Sequence, residues 1–519
     1  MKKITLVLMF ALTSSIVINA QIKARGFDTA DVPELRKMAR KGMFVNHDPM
    51  RIGTRENAEL TCMGSPKVPV VLVNFIDKDF TTTGEKSPNQ FYDLHMNGTG
   101  DGNRYTGSGS FGSVRDYFSD MSYGQFTPEF VIIGPVTLSK SYKYYGENSG
   151  SSLDIHINDF YKEALDSAML KTDWSQFDNN DDGSVDMVFF VYAGRGENDK
   201  SDRDTYTIWP KENGRGGTIG DVKFGCYVCC NEEYRSKVDG IGTMCHELSH
   251  ALGLPDLYDT NYRAFGMDYW DLMDSGNYCQ NGCTPCGYSA YERDFMGWRS
   301  LITLEADQGK TITLKPMTQD GYGYKIVNKE NPNEYYILEN RQSEDWDKYI
   351  GYGNSTYGFH PGLLVTHVDY VQSRWTNNNV NTDLNHQYLT IIPADSTLDS
   401  FMFVATTEEL LYYLESAAGD PYPGKTDKTD LQGKKAFVYT TSGEMNQPIT
   451  GITQNTDGSI TLQFCGGDTD EIETVCPTLQ GKKDYVYDLQ GRLLMTDDVE
   501  SLPTGIYIIN GKTRLINKK

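Results

Sequence analysis

Residues 246–256 read His-Glu-Leu-Ser-His-Ala-Leu-Gly-Leu-Pro-Asp. Histidines four apart on a helix project from one face about one turn apart, so the imidazoles of His246 and His250 can reach one metal ion. Glu247 lies between them and can serve as general base toward a water the metal activates. Gly253 lets the chain leave the helix sharply, and Asp256 then offers a third ligand from a loop. Three protein ligands leave a fourth position for water, as a hydrolytic zinc site requires. The bare His-Glu-x-x-His pattern is weak and also fits a helix with two surface histidines. Its extension through Gly253 and Asp256 makes it specific.

Further along, Tyr269-Trp-Asp-Leu-Met273-Asp-Ser-Gly276 resembles the Met-turn of the metzincins, in which a methionine forms a hydrophobic floor beneath the zinc-binding histidines. The usual third metzincin ligand is a histidine, and here Asp256 stands in its place, an oxygen donor that zinc also accepts. By the same resemblance Tyr278 is either an oxyanion-stabilising phenol or an ordinary packed tyrosine.

The elements that must position these residues follow from hydrophobic patterning. Lys67–Phe75 is a continuous apolar run suited to a sheet interior. Helical spacing marks Phe111–Ser122 and, more strongly, Leu153–Leu170. Phe126–Leu138 reads as strand broken at Gly134-Pro135, with further strands at Met187–Tyr192 and Gly220–Cys230, the last read as the upper edge of a cleft where an extended peptide could pair. The histidine helix is expected over about Val238–Leu252. The fold class is therefore α+β, a metzincin-like catalytic domain with mixed sheet, backing helix and active-site helix, followed by all-β sandwich domains built from short strands such as Thr311–Leu314, Tyr335–Glu339 and Gly362–Val368. In those strands Glu339, Arg341, His367 and Asp369 suggest a buried ion-pair network reaching back to the catalytic domain, with a second catalytic centre as the weaker alternative. Asp178, Asn180, Asp182, Ser184 and Asp186 alternate around Gly183 like the first positions of a calcium loop, but position twelve is Phe189 and a strand follows. The choice is between a calcium site completed from elsewhere and a solvated acidic turn.

Met1-Lys2-Lys3 and the apolar run to about Val17 read as a signal peptide (residues 1–20), cut near Ala20–Gln21. Residues 21–66 look like a propeptide with a short helix around Val32–Lys41. The catalytic domain is placed at 67–300, a β-sandwich domain at 301–466 and a small C-terminal β domain at 467–519. That last unit contains Leu502-Pro-Thr-Gly505-Ile-Tyr and is similar to the sorting domains of type IX secretion; the alternative is an ordinary terminal pair of hairpins. The net charge of −23 and the absence of a basic stripe exclude a nucleic-acid partner and imply solubility. No stretch reaches the length of a transmembrane span. The 10 cysteines in an exported chain favour disulfides over a second zinc site, chiefly between Cys226, Cys229, Cys230 and Cys279, Cys283, Cys286, with Cys465 paired to Cys476. Cys62 stands apart. It is either a thiolate that occupies the open zinc position in the zymogen, a disulfide partner, or a small buried residue.

Ser113-Val-Arg-Asp-Tyr117, Asp182-Gly-Ser-Val-Asp186, His246–Asp259, Trp270–Met273, Gly297-Trp298, Glu339-Asn-Arg341 and His367-Val-Asp369 together resemble the immune inhibitor A family of secreted bacterial metallopeptidases over roughly residues 67–370. The resemblance implies zinc and structural calcium, secretion as a zymogen, and protein or peptide substrates. The expected product is a secreted or surface-associated monomeric endopeptidase. Its rival is a surface adhesin or matrix-binding protein on an inactive peptidase scaffold, disfavoured because binding alone needs neither Glu247 nor three ligands.

Overall fold

The computed structural model describes residue 58 and residues 60–466 apart from 82, 101–102, 151, 200–205, 235, 307, 351–359, 401–406 and 432–446; beyond them it describes only the strands 486–487, 493–494, 505–509 and 512–516. The signal peptide, the Val32–Lys41 helix and Cys476 lie outside the described residues.

Seven strands form the first sheet: β1 (Lys67–Phe75), β2 (Glu129–Leu138), β3 (Ser184–Arg195), β4 (Lys211–Asn213), β5 (Thr218–Ile219), β6 (Val222–Tyr234) and β7 (Lys237–Val238). The order β2-β1-β3-β6 is all parallel, and β4, β5 and β7 add antiparallel pairs along β6. A parallel strand is covered on both faces and so is apolar at every position rather than at alternate ones. β1 meets that requirement. Val68, Val70 and Leu72 pack on one side of the sheet, and Val71, Val73 and Phe75 on the other. β2 continues through Gly134-Pro135 where the sequence suggested a break. A cis peptide there and a bulge in its pairing with β1 absorb the interruption.

Helix α3 (Ile157–Ala168) backs one face through Phe160, Tyr161, Ala164 and Leu165. The other face carries α1 (Pro88–Asn97), α2 (Val114–Met121) and α4 (Ile241–Ala251), the helix of the histidines. Capping boxes start α1 at Ser87 and α2 at Ser113, each satisfying two otherwise orphaned amides. This is a mixed α/β arrangement, as an α+β peptidase domain requires.

Residues 301–466 form a five-stranded sheet and a three-stranded sheet. The first runs β13-β12-β11-β10-β8 and the second β14-β15-β9, from β8 (Ile302–Thr303), β9 (Lys310–Leu314), β10 (Tyr324–Val327), β11 (Glu334–Arg341), β12 (Gly362–Asp369), β13 (Leu389–Ile391), β14 (Ile449–Gln454) and β15 (Ile460–Phe464). Ile312, Leu338, Val365 and Leu462 meet in the core between them. Ile337, Leu364, Val368 and Ile391 instead join the core beneath α4. The two regions expected as separate domains thus share one core, and contacts divide the chain once, between Glu471 and Ile472. The C-terminal unit by itself is an antiparallel sheet of β16 (Val486–Tyr487), β17 (Leu493–Leu494), β18 (Gly505–Ile509) and β19 (Lys512–Ile516) in the order β17-β16-β18-β19.

One buried ion cluster fastens the downstream sheet to the first region. Arg341 forms two 2.8 Å hydrogen bonds to Asp347 and lies 3.4 Å from Glu339. It also donates to Trp270 O and Gly287 O, while Glu339 accepts from Ala290 N–H at 2.6 Å. His367 is not part of this cluster. It pairs with Glu334 at the far end of β11, and Asp369 pairs with His386. Removing one partner of a buried cluster leaves charges without compensation, at a cost of about 3–5 kcal/mol. Arg341→Ala should therefore lower unfolding free energy by that amount in a denaturant titration; a loss below about 1 kcal/mol would show that the cluster does not join the two regions.

Candidate metal centre

Every residue of α4 is buried, so each polar group it carries needs a partner or a ligand. No side chain caps its first turn. Gly242 N–H instead donates to Gly282 O at 2.8 Å. That approach demands glycine, since a Cβ on Gly242 would lie 1.8 Å from Asn277 O. At the other end Gly253 sits at φ 101°, its N–H donating to His250 O and that of Leu254 to Ser249 O. Left-handed backbone of this kind is the usual exit from a helix.

That exit turn brings Leu254 O to 2.7 Å from His250 Nδ1, and Leu272 O lies 2.9 Å from His246 Nδ1. Carbonyls only accept, so both Nδ1 atoms carry the proton and both Nε2 atoms present lone pairs inward. Each Nε2 lies 3.2 Å from Asp256 Oδ1. The three ligand atoms fall within 4.8 Å of one another, the one such group of histidine, cysteine or acidic side chains among the described residues. Burial opposes a charged imidazole, yet the adjacent Asp256 carboxylate holds the His246 pKa above its ordinary value. Two imidazole nitrogens and one carboxylate oxygen are a zinc donor set. Glu247 is buried beside them, and its Oε2 has no hydrogen-bond partner. These side chains fit a metal ion and the water it would bring.

Asp256 is held by a residue the sequence did not suggest. Asn378 Nδ2 donates to Asp256 Oδ2 at 2.6 Å, and Asp256 N–H donates to Asn378 Oδ1 at 2.7 Å. Asn378 lies 122 positions downstream, and no local pattern marks it.

Met273 is fully buried, and its carbonyl accepts from Leu257 N–H on the ligand loop at 2.8 Å. Asp271 Oδ1 accepts from Met273 N–H, and Asp271 Oδ2 from Ser289 Oγ. Tyr278 is partly buried, stacks on Tyr234, and lines a cleft of about 90 Å³ with His246, Glu247, Trp209, Tyr258 and Tyr262.

Other candidates are not brought to the metal group. The Cys62 thiol donates to Met296 O and its carbonyl accepts from Trp298 Nε1, which anchors it in the core. Leu60 N–H also donates to Ala251 O, and Gly64 bridges Phe126, so residues 60–66, the end of the expected propeptide, pack against the region that follows. In the acidic loop, Asp178 accepts from the amides of Asp182 and Gly183, Asn180 Oδ1 from that of Asp182, and Asp182 from that of Ser184. Asp186 accepts from Asn179. These oxygens close the loop on itself through its own amides. The described cysteines are thiols, not the disulfides expected. Strand alternation explains part of this: on β6, Cys226 and Cys230 face the α4 side with Cys279 and Cys286, while Cys229 faces the α3 side. β6 is also not an edge, since β3 and β4 flank it; the edge is β4.

Residues 60–300 match the family model of the immune inhibitor A peptidase M6 catalytic domain. The chain is 23% identical over 234 residues to Immune inhibitor A of Bacillus thuringiensis subsp. alesti, covering 38% of this chain and 34% of that protein. It is 27% identical over 241 residues to the pre-pro-metalloprotease PrtV of Vibrio cholerae serotype O1 (strain M66-2), covering 40% of this chain and 26% of that protein. The chain thus spans only 34% and 26% of the lengths of these relatives. No described helix is long and apolar enough to cross a membrane.

The floor of the site rests on two buried carboxyls. Burial, and then the charge of Asp271, hold the Glu292 carboxyl well above its ordinary 4.5. Glu292 Oε2 accepts from Ser289 N–H at 2.7 Å, and Asp271, which accepts from Ser289 Oγ, in turn fixes Met273. A carboxyl raised on folding stabilises fully below 4.5, and that contribution is lost as pH rises toward the raised value. Glu292→Gln keeps the shape and has no such proton to lose. Its melting temperature should fall less steeply with rising pH than that of the parent chain; parallel slopes would show that Glu292 does not titrate with folding.

Proposed function

We propose that this protein is an exported zinc-dependent endopeptidase acting on protein substrates, made as a precursor. The observation that carries the reading is the convergence of His246 Nε2, His250 Nε2 and Asp256 Oδ1 beside Glu247, inside the region that matches a metallopeptidase catalytic domain. A zinc ion held by these three side chains would act as a Lewis acid on the scissile carbonyl and lower the pKa of an attacking water toward neutrality. Glu247, buried with an uncommitted oxygen, takes the proton of that water and later delivers it to the leaving amine. Burial first, and then the charges of Asp239 and Glu247, raise the Tyr278 pKa, so the phenol stays protonated as a donor toward the developing oxyanion. The aromatic cleft excludes water from the reacting atoms. β4, the antiparallel edge that directly follows the cleft residues Trp209 and Pro210, offers main-chain groups to an extended peptide.

In this proposal the leader at residues 1–20 directs export and a pro-segment ends before Leu60, because residues from Leu60 onward are bonded into the domain. Cys62 therefore remains in the mature enzyme as a core residue. The C-terminal antiparallel sheet would serve sorting to the cell surface.

Glu247→Ala should retain stoichiometric zinc in elemental analysis and lose about 10²–10⁴-fold in casein hydrolysis. Turnover within threefold of the parent, or hydrolysis that survives exhaustive chelation, would dispose of the mechanism. Tyr278→Phe should lower kcat by about 10²-fold with little change in KM, and an unchanged kcat would return Tyr278 to a packing role.

A further inference from the structure

The third metal-binding side chain is held from outside the matched catalytic region. Asp256 has two carboxylate oxygens with different tasks: Oδ1 faces both histidines at 3.2 Å, and Oδ2 accepts from Asn378 Nδ2 at 2.6 Å. The Asn378 Oδ1 atom takes the Asp256 backbone N–H, so one amide grips the ligand at both its main chain and its side chain. Rotation of the carboxylate about its Cβ–Cγ bond would break the Nδ2 contact and carry Oδ1 away from the rings.

Asn378 is itself rigidly placed. It is buried at φ 50°, where asparagine is among the few side chains tolerated, and its N–H donates to Trp375 O at the end of the short helix α6 (Gln372–Thr376). The same segment grips the ligand loop at three more points. Asn381 Nδ2 donates to Leu257 O, Gln387 accepts from Gly266 N–H, and Thr390 donates to Gly266 O. All four contacts reach residues 256–266, the stretch from the third ligand toward the Met-turn, and all come from residues beyond the 60–300 match.

We infer that Asn378 is a positioning residue for the metal, and that zinc affinity depends on the downstream sheet region as well as on the catalytic domain. The inference rests on the zinc reading proposed above. Outer-shell partners of a ligand typically govern metal affinity by about 10–100-fold.

The test uses the full chain and zinc ion alone, with affinity measured by competition against a graded series of chelators and melting temperature measured on the same metal-free samples. Asn378→Gly keeps the backbone conformation and removes the amide. Asn378→Asp keeps the shape and the acceptor for Asp256 N–H but replaces the Nδ2 donor by an oxygen, and it serves if the glycine variant does not fold. Gln447→Ala breaks a hydrogen bond to Val327 O in the downstream sheets, away from the ligand loop. Zinc affinity lowered about 10–100-fold in the Asn378 variants, with Gln447→Ala at the parent value, is the expected result. Asn378 variants that melt lower yet bind zinc as the parent does would overturn the inference and leave Asn378 a purely structural residue. A parent chain that retains no zinc, with His246→Ala indistinguishable from it, would instead overturn the metal reading, and this inference with it.

Discussion

A helix buried on every side has no water to satisfy the polar groups it carries, and α4 carries two imidazoles and a carboxylate. Much of the architecture answers that constraint. Each ring gives its Nδ1 proton to a backbone carbonyl, Leu254 O on one side and Leu272 O on the other. The first carbonyl is available only because Gly253 turns the chain back at positive φ, and the second only because the segment after Trp270 runs beneath the helix. Once both Nδ1 atoms are committed, the remaining lone pairs have a single direction, toward Asp256. The tautomer, the ring orientation and the place of the metal are therefore one decision made by the backbone.

The second carbonyl has to be held in turn. Asp271 accepts the Met273 amide and the hydroxyl of Ser289, the N-cap of α5 (Ala290–Phe295). Arg341 from β11 donates to Trp270 O, and Asn378 fixes Asp256. The downstream sheet thus enters the site by two independent routes, one to the floor and one to the third ligand. A shared core containing Leu364, Val368 and Ile391 makes these routes stiff. A hinge at residue 300 would undo both, which accounts for the chain dividing at Glu471 and not before.

The parts of this arrangement legible in the sequence are those with a local signature. β1 coincides with the apolar run Lys67–Phe75, and α2 and α3 lie within the stretches marked by periodicity, trimmed by a few residues at their ends. His246, His250 and Asp256 are spaced by one helix and one glycine turn, so their convergence follows from covalent geometry. Asn378 has no such signature, because its role depends on a fold that brings positions 122 apart into contact. The cysteines show a related limit. Their clustering along the chain suggests pairing, but no disulfide forms among the described residues, and strand alternation sends Cys229 to the opposite face of the sheet from Cys279 and Cys286. The acidic loop shows a third limit. Alternating oxygens suit both a cation and the loop's own amides, and the contacts to the amides leave that choice open.

Cys62 and Glu247 are both buried, but their surroundings differ. Cys62 donates its S–H and its carbonyl accepts from Trp298, which leaves the residue tied to the core. Glu247 keeps an oxygen without a partner at the wall of the one cleft that also contains His246 and Tyr278. An unsatisfied buried carboxylate oxygen costs on the order of 1–3 kcal/mol. In the proposed reaction the attacking water would be its missing partner.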